Sequence, residues 1–154
     1  MEKEKLIFET GLKEYEVNGG RAVFSFAPTD SSLMSRYQKL YEKAMELTEE
    51  LKAAHEKVTA EHKAIDDPAS IAFTEKMVEA DKEIKPELKA CFGAQNDFDA
   101  IFGYVNAFTI TVTGDMVVTN FLAGIEPIIK AEFKKSVDAA ASLKANSMKK
   151  GKRK

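Results

Sequence analysis

The sequence predicts an α+β protein that is mainly α-helical, with an antiparallel β-meander or hairpin first, then a long α-hairpin, then C-terminal helices. Three observations lead to this prediction. Apolar and polar residues alternate over the first 27 residues, which is typical of strands. Between Leu33 and Val58 an apolar residue recurs at steps of four and three, which keeps one helix face against a partner. Asp67-Pro68 and Phe92-Gly93 are start and stop signals for a second long helix.

Three strands are predicted within residues 1–27. The first is centred on Leu6-Ile7-Phe8, the second on Tyr15-Glu16-Val17 and the third on residues 22–26. Asn18-Gly19-Gly20 joins the second strand to the third, because these residue types tolerate the positive φ angles of tight hairpin turns. A meander this small is marginal alone, so we expect a helix to cover its aromatic face.

A long helix is predicted from about residue 31 to about residue 65. Pro28 ends the third strand, and Thr29-Asp30-Ser31-Ser32 offers side-chain oxygens that can cap the first helical amides. At 1.5 Å per residue this helix would be roughly 50 Å long, so we expect part of it to protrude from the domain. Its apolar seam consists of Leu33, Tyr37, Leu40, Ala44, Leu47, Leu51, Ala54 and Val58.

The second helix is predicted over residues 68–92, with a kink or a restart at Pro86 and a stop at Gly93. Two antiparallel helices with a short connector form an α-hairpin, which by itself accounts for the seam. The alternative is that the seam contacts another protein or a second copy of this chain.

Residues 97–145 are predicted to be a C-terminal helical part that begins with a short helix capped at Asp97. The stretch 108–119 is ambiguous, because it reads either as two strands around Gly114-Asp115 or as the approach to a helix that starts at Asp115. We favour the helix, since its apolar stripe continues to about Leu143, and we expect Pro127 to bend it. The stripe consists of Met116, Phe121, Ile125, Ile128, Ile129 and Phe133.

Charge divides the chain into an acidic domain, residues 1–143, and a basic flexible tail, residues 144–154. The tail holds six basic residues and no acidic one, whereas the rest of the chain carries more acidic than basic residues. A nucleic-acid binder normally shows a basic face, so a nucleic-acid partner is not expected. The tail could contact nucleic acid or an acidic protein surface, but we favour a frayed, solvated terminus.

We expect a cytoplasmic protein that neither crosses a membrane nor carries a signal peptide. No apolar run approaches the roughly 20 residues of a bilayer span, and Met1-Glu2-Lys3-Glu4-Lys5 places acids where a signal peptide has basic residues. The single Cys91 excludes an internal disulfide, which suits a reducing compartment.

Candidate catalytic or metal-binding residues are few, and we predict no enzyme, no cofactor and no metal site. His55 and His62 are seven residues apart, whereas a shared metal on a helix wants a spacing of three or four. Cys91 next to Phe92 is interpreted as a core thiol rather than a nucleophile. The pairs Asp66-Asp67 and Asp97/Asp99 lie where helix N-termini favour negative charge, so helix capping explains them.

Several short motifs resemble small proteins encoded in the tail-morphogenesis modules of prophages and siphophages of Gram-positive bacteria, which are similar to tail assembly chaperones. The motifs are residues 15–20 (YEVNGG), 24–30 (FSFAPTD), 97–103 (DFDAIFG) and 120–127 (NFLAGIEP), together with Phe92-Gly93, Asn106 and Gly114. The resemblance implies a non-enzymatic partner that coats the helical tape-measure protein until tail-tube subunits polymerise around it.

The resemblance also implies that the partners are tape-measure or tail-tube proteins, with self-association as a further expectation. A structural subunit of a tail ring or tube is the alternative. The apolar ridges predicted to make these contacts consist of Leu33, Tyr37, Leu40, Leu47, Leu51, Val58, Phe121, Ile125, Ile129 and Phe133.

Overall fold

In the computed structural model, the second and third predicted strands pair as an antiparallel hairpin. The structure describes residues 2–61 and 64–152. Strand β1 is Lys13–Val17 and strand β2 is Ala22–Phe26, with Tyr15 opposite Phe24. The loop between them uses positive φ angles at Asn18, Gly19 and Gly20, as expected from these residue types.

The remaining elements are four helices. They are α1 (Leu33–Ala60), α2 (Pro68–Phe92), α3 (Phe98–Ile101) and α4 (Val117–Lys152), and side chains are described as far as residue 146. An N-terminal hairpin followed by long helices confirms the predicted class, α+β and mainly α.

The prediction of a strand at Leu6-Ile7-Phe8 is wrong, so the sheet described here is a two-stranded hairpin and not a meander. The three side chains are 84%, 91% and 71% exposed, respectively. Alternation shows that a segment can serve as a strand, but a strand forms only where backbone groups of a neighbour pair with it. In the single chain this segment has no such neighbour among the described residues.

Helices α1 and α2 form the predicted α-hairpin. The carboxylate of Asp67 accepts a hydrogen bond from the Ala69 amide at 2.9 Å, and α2 then runs without a break through Pro86 to Phe92. Helix α1 ends at Ala60, five residues before the predicted end. Its first turn is anchored by Asp30, whose carboxylate accepts from the Ser32 amide and from the Arg36 guanidinium.

Most of the seam is buried inside the chain. Six of its residues, from Leu33 to Leu51, are at most 5% exposed, while Ala54 and Val58 are partly exposed near the end of α1. Helix α2 and, to a lesser extent, α4 cover this face of α1. The intramolecular explanation of the heptad spacing therefore holds, and the seam is core.

An aromatic cluster lies between the β-hairpin and the helices. Phe24 contacts Phe92 and Phe121 edge-on, with ring centroids 5.2 and 5.1 Å apart, respectively. The buried Asn96 attaches the hairpin to the loop after α2, because its side-chain amide accepts from the Ser25 N–H and donates to the Ser25 carbonyl, both at 2.8 Å. This amide replaces a neighbouring strand at the outer edge of β2.

Each of the two interpretations of residues 108–119 is partly correct. Ile110 and Met116 form an isolated antiparallel bridge, and α4 begins immediately afterwards at Val117, two residues later than predicted. The predicted helix end near Leu143 is wrong, because α4 continues through the basic segment to Lys152. Over residues 2–61 and 64–152, no helix has both the length and the apolar character that a bilayer span requires.

Candidate protein-binding groove

A groove of about 520 Å³ with a mostly apolar lining lies between α1, α2 and the segment that connects α3 to α4. We call it the methionine groove, because three methionines from distant parts of the chain line it. Its apolar lining consists of Met45, Leu51, Phe73, Met77, Phe108, Ile110 and Met116.

Two side chains fix the connecting segment across α2. The Asn106 side-chain amide donates to the Met77 carbonyl at 2.9 Å, and the Asp81 carboxylate accepts from the Ala107 amide at 2.8 Å. These bonds replace partners that an irregular segment would otherwise lack. The segment therefore serves as a rigid wall of the groove.

A tight turn completes that wall. The Thr111 amide donates to the Asp115 carbonyl at 2.8 Å, and the Val117 amide donates to the Thr109 carbonyl at 3.0 Å. Gly114 adopts φ +90°, which L side chains rarely adopt. The turn presents Ile110, 46% exposed, at the mouth of the groove.

An ion cluster holds the Asp81 side chain that binds the segment connecting α3 to α4. The Lys85 ammonium binds the carboxylates of Asp81, at 2.8 Å, and Asp99. Partial burial alone would lower the pKa of Lys85, but the hydrogen bonds to both carboxylates outweigh burial and the pKa lies above its ordinary value. The same hydrogen bond lowers the pKa of Asp99. Lys85 and Asp99 therefore stay charged near neutral pH, which suits a structural ion pair rather than proton transfer.

The lining and rim of the methionine groove suit apolar side chains presented by a helix. Methionine side chains are flexible and polarizable, so they adapt to differently shaped partners. The imidazole of His55 lies against the Phe73 ring with centroids 5.5 Å apart, which extends the apolar surface along α1. The rim carries three acidic groups and one lysine, namely Glu49, Glu56, Asp115 and Lys52.

Most residues of the predicted apolar ridges do not lie on the surface of the single chain. Seven of the ten residues are buried in the core; they are Leu33, Tyr37, Leu40, Leu47, Leu51, Ile125 and Ile129. Phe121 is partly buried in the aromatic cluster, Val58 is partly exposed, and Phe133 is 48% exposed. Only Leu51 contributes to the methionine groove.

The sequence did not predict the methionine groove. Met116 begins the predicted apolar stripe of α4, which indicates helix packing, and Met77 lies in the second helix, for which the sequence predicts no binding surface. Met45 lies off the seam of α1 and gave no periodic signal. No local pattern links residues that far apart, because their proximity depends on how α4 and its preceding turn dock on the α-hairpin.

The residues considered for chemistry take structural positions. Cys91 is buried, and burial raises the pKa of its thiol to about 12, so it is protonated and unreactive at neutral pH. Asp67 and Asp97 cap helices, as predicted. Within the described ranges no cluster of three His, Cys, Asp or Glu side chains is arranged to hold a metal; His62 lies outside them.

Comparison with known proteins adds no assignment: no family model matches this chain, and no curated protein or solved structure does so either.

Proposed function

We propose that this chain is a non-enzymatic, tail assembly chaperone-like protein of a phage or prophage, acting in the cytoplasm of the bacterial host. Its clients would be helical segments of the tape-measure protein or of another tail protein. The single observation that supports this proposal is the methionine groove, an adaptable apolar surface open to solvent in a chain otherwise built from packed helices. The motif resemblance supplies the class of client.

A client helix would place its apolar face over the groove rather than enter it. A volume of about 520 Å³ accommodates a few side chains, which is the mode of helix-in-groove recognition with anchors one turn apart. The flexible Met45 and Met77 let one groove accept different anchor shapes along a repetitive client. A holding chaperone needs this tolerance, because it must bind many similar segments of one long helix.

The charged rim favours client helices with basic residues beside the apolar anchors. Glu49, Glu56 and Asp115 outnumber Lys52 at the rim. Charges at the rim of an interface act mainly on the rate of association, and salt screens them. Client capture should therefore become slower as the salt concentration rises.

Substitution of the groove wall tests the proposal. Ile110→Asp places a charge at the mouth of the groove, and we expect co-expressed tape-measure protein to be captured at least tenfold less. Val112→Asp is the matched control, since Val112 lies two residues along the same turn, fully exposed and outside the groove lining. Affinity capture followed by mass spectrometry measures the difference, with circular dichroism to confirm equal helicity. Equal capture by wild type and Ile110→Asp would contradict the proposal.

The alternative function, a structural subunit of the tail, is favoured by one observation. Leu6, Ile7 and Phe8 are large, apolar and highly exposed, as in a segment that becomes ordered in an assembly. Purified virions distinguish the two functions. A chaperone is absent from mature particles although it co-purifies with the tape-measure protein during assembly, whereas a structural subunit is present in a fixed copy number.

A further inference from the structure

The N-terminal segment is the largest run of unburied apolar side chains in the described chain. Leu6, Ile7 and Phe8 are 84%, 91% and 71% exposed, and Leu12 is 54% exposed. Isolated exposed apolar residues are common, but three in succession at these exposures are a feature of interaction surfaces. Leu6 and Phe8 are two residues apart, so in a strand both side chains would lie on the same face.

The β-hairpin has one closed edge and one free edge. Asn96 satisfies both backbone groups of Ser25 at the outer edge of β2. At the outer edge of β1, by contrast, none of the described residues forms a backbone ladder. A free edge is a template for one more strand.

A groove of about 310 Å³ lies between α4 and the face of the β-hairpin that carries Tyr15, Phe24 and Phe26, so β1, the strand with the free edge, forms part of its lining. Its apolar wall includes Tyr15 and Val17 from β1 and Phe121, Ile125 and Ile128 from α4. Gly124 lies on the same wall, and a Cβ atom there would meet nothing within 4 Å. The groove thus has room for the side chains of an added strand.

We propose that residues 4–8 of a second copy of this chain add to the free edge of β1 as an antiparallel strand, and that the exchange is reciprocal. Each copy carries both the free edge and the unpaired segment, so a two-fold dimer satisfies both at once. The occupant has apolar side chains at residues 6, 7 and 8, and four residues separate it from the edge strand of its own chain.

The connection to β1 supports exchange between copies. Gly11 has φ +78°, its amide donates to the Glu9 carboxylate at 2.7 Å, and a Cβ atom there would overlap the Thr29 hydroxyl. This ordered turn leaves residues 2–10 unpaired in the single chain. A partner's segment can fill the groove without any change to the turn.

The register follows from charge and alternation. With Leu6 of one copy opposite Tyr15 of the other, Leu6 and Phe8 share the face that Tyr15 presents to the groove. Lys5 then lies opposite Glu16, an oppositely charged cross-strand pair of the kind that stabilises sheets. A shift by one residue would turn Leu6 and Phe8 away from the groove.

Light scattering tests the dimer. Wild-type protein should have twice the 17.1 kDa mass of one chain, and the double variant Leu6→Asp/Phe8→Asp should have half the wild-type mass. Both residues are exposed in the single chain, so circular dichroism should be unchanged. Ile65→Asp is the matched control, because Ile65 is 93% exposed but distant in sequence from the segment, and it should remain dimeric. A monomeric wild type, or a double variant that keeps its dimer, would overturn the proposal.

Disulfide trapping tests the register and the partner. Lys5→Cys and Glu16→Cys are made in separate preparations, mixed, and oxidised; Cys91 is buried and does not compete. Cross-strand neighbours lie within disulfide range, so the mixture should give a covalent dimer and each preparation alone should not. A chain that carries both substitutions and forms only an internal disulfide would show that the segment pairs with its own β1, which also overturns the proposal. Neither test involves a client, so the chaperone function stands or fails separately.

Discussion

At the scale of residues, the hydroxyl of Tyr37 is an unsatisfied polar group in the core. Its oxygen is buried and has no hydrogen-bond partner among the described residues. Burial first, and then the Glu126 carboxylate, raise the pKa of Tyr37 to about 12. The hydroxyl therefore stays protonated while its hydrogen-bonding capacity is unused, which disfavours the folded state.

Removing that hydroxyl should help the fold. We expect Tyr37→Phe to raise the free energy of unfolding by about 1 kcal/mol, because the ring keeps its packing and an unsatisfied polar group is lost. Urea titration measures this change. A decrease of similar size would instead reveal a partner for the hydroxyl in solution.

Asn96 is the opposite case, since its buried amide is fully used. We expect Asn96→Ala to lower the free energy of unfolding by roughly 2–4 kcal/mol, because both Ser25 backbone groups lose their partner. Gln95→Ala is the control: Gln95 also contacts Ser25, but it is exposed and its bonds are 3.2–3.3 Å long. In urea titrations Gln95→Ala should be milder; equal losses would contradict the role of Asn96.

The Lys85 cluster predicts a pH dependence of stability. The hydrogen bond from Lys85 lowers the pKa of Asp99 below its ordinary value of 3.8. This contribution is therefore present above that value and is lost as the pH falls through the lowered pKa. We expect Asp99→Asn to reduce stability at neutral pH and to flatten its decline in acid, measured by urea titration at several pH values. An unchanged acid limb would exclude Asp99 as a contributor.

At the scale of elements, α1 and α2 depend on each other. Leu40 is 1% exposed on the face of α1 that forms the core, whereas its neighbour Tyr41 is 40% exposed. Leu40→Ala should lower the free energy of unfolding by about 2–5 kcal/mol, through lost burial and a cavity. Tyr41→Ala should lower it by much less. Urea titration compares them, and a small effect of Leu40→Ala would mean that the seam is not core.

Helix α4 combines two environments in one element. Ile125 and Ile129 are buried against the body, but Phe133, Val137 and Leu143 are 48%, 51% and 72% exposed. The apolar stripe that predicted the helix thus continues past the point where the chain itself covers it. Periodicity established the helix correctly but said nothing about where its packing ends.

At the scale of the whole molecule, the methionine groove and the free edge of β1 share no lining residue. Changes at the two sites should therefore act independently. We expect Leu6→Asp/Phe8→Asp to abolish the dimer while client capture stays near wild type, and Ile110→Asp to do the reverse. Light scattering and affinity capture on the same four proteins, including the combined variant, measure both. Loss of capture in the dimer variant would show that client binding requires two copies.

The sequence by itself determined the local elements. The Asp67-Pro68 start, the Phe92-Gly93 stop and the turn at Asn18-Gly19-Gly20 act within a few residues, through capping bonds and allowed φ angles. The heptad spacing likewise determined which face of α1 is apolar. These features were predictable because their causes lie in adjacent residues.

Only the tertiary structure decided what those elements contact. It placed the seam against α2 inside the chain, left Leu6-Ile7-Phe8 without a pairing strand, and brought Met45, Met77 and Met116 into one groove. The same apolar periodicity serves a core or an interface equally well, since it records only that a face avoids water. Which surface covers that face depends on chain connectivity and docking, and these act between residues that no local pattern connects.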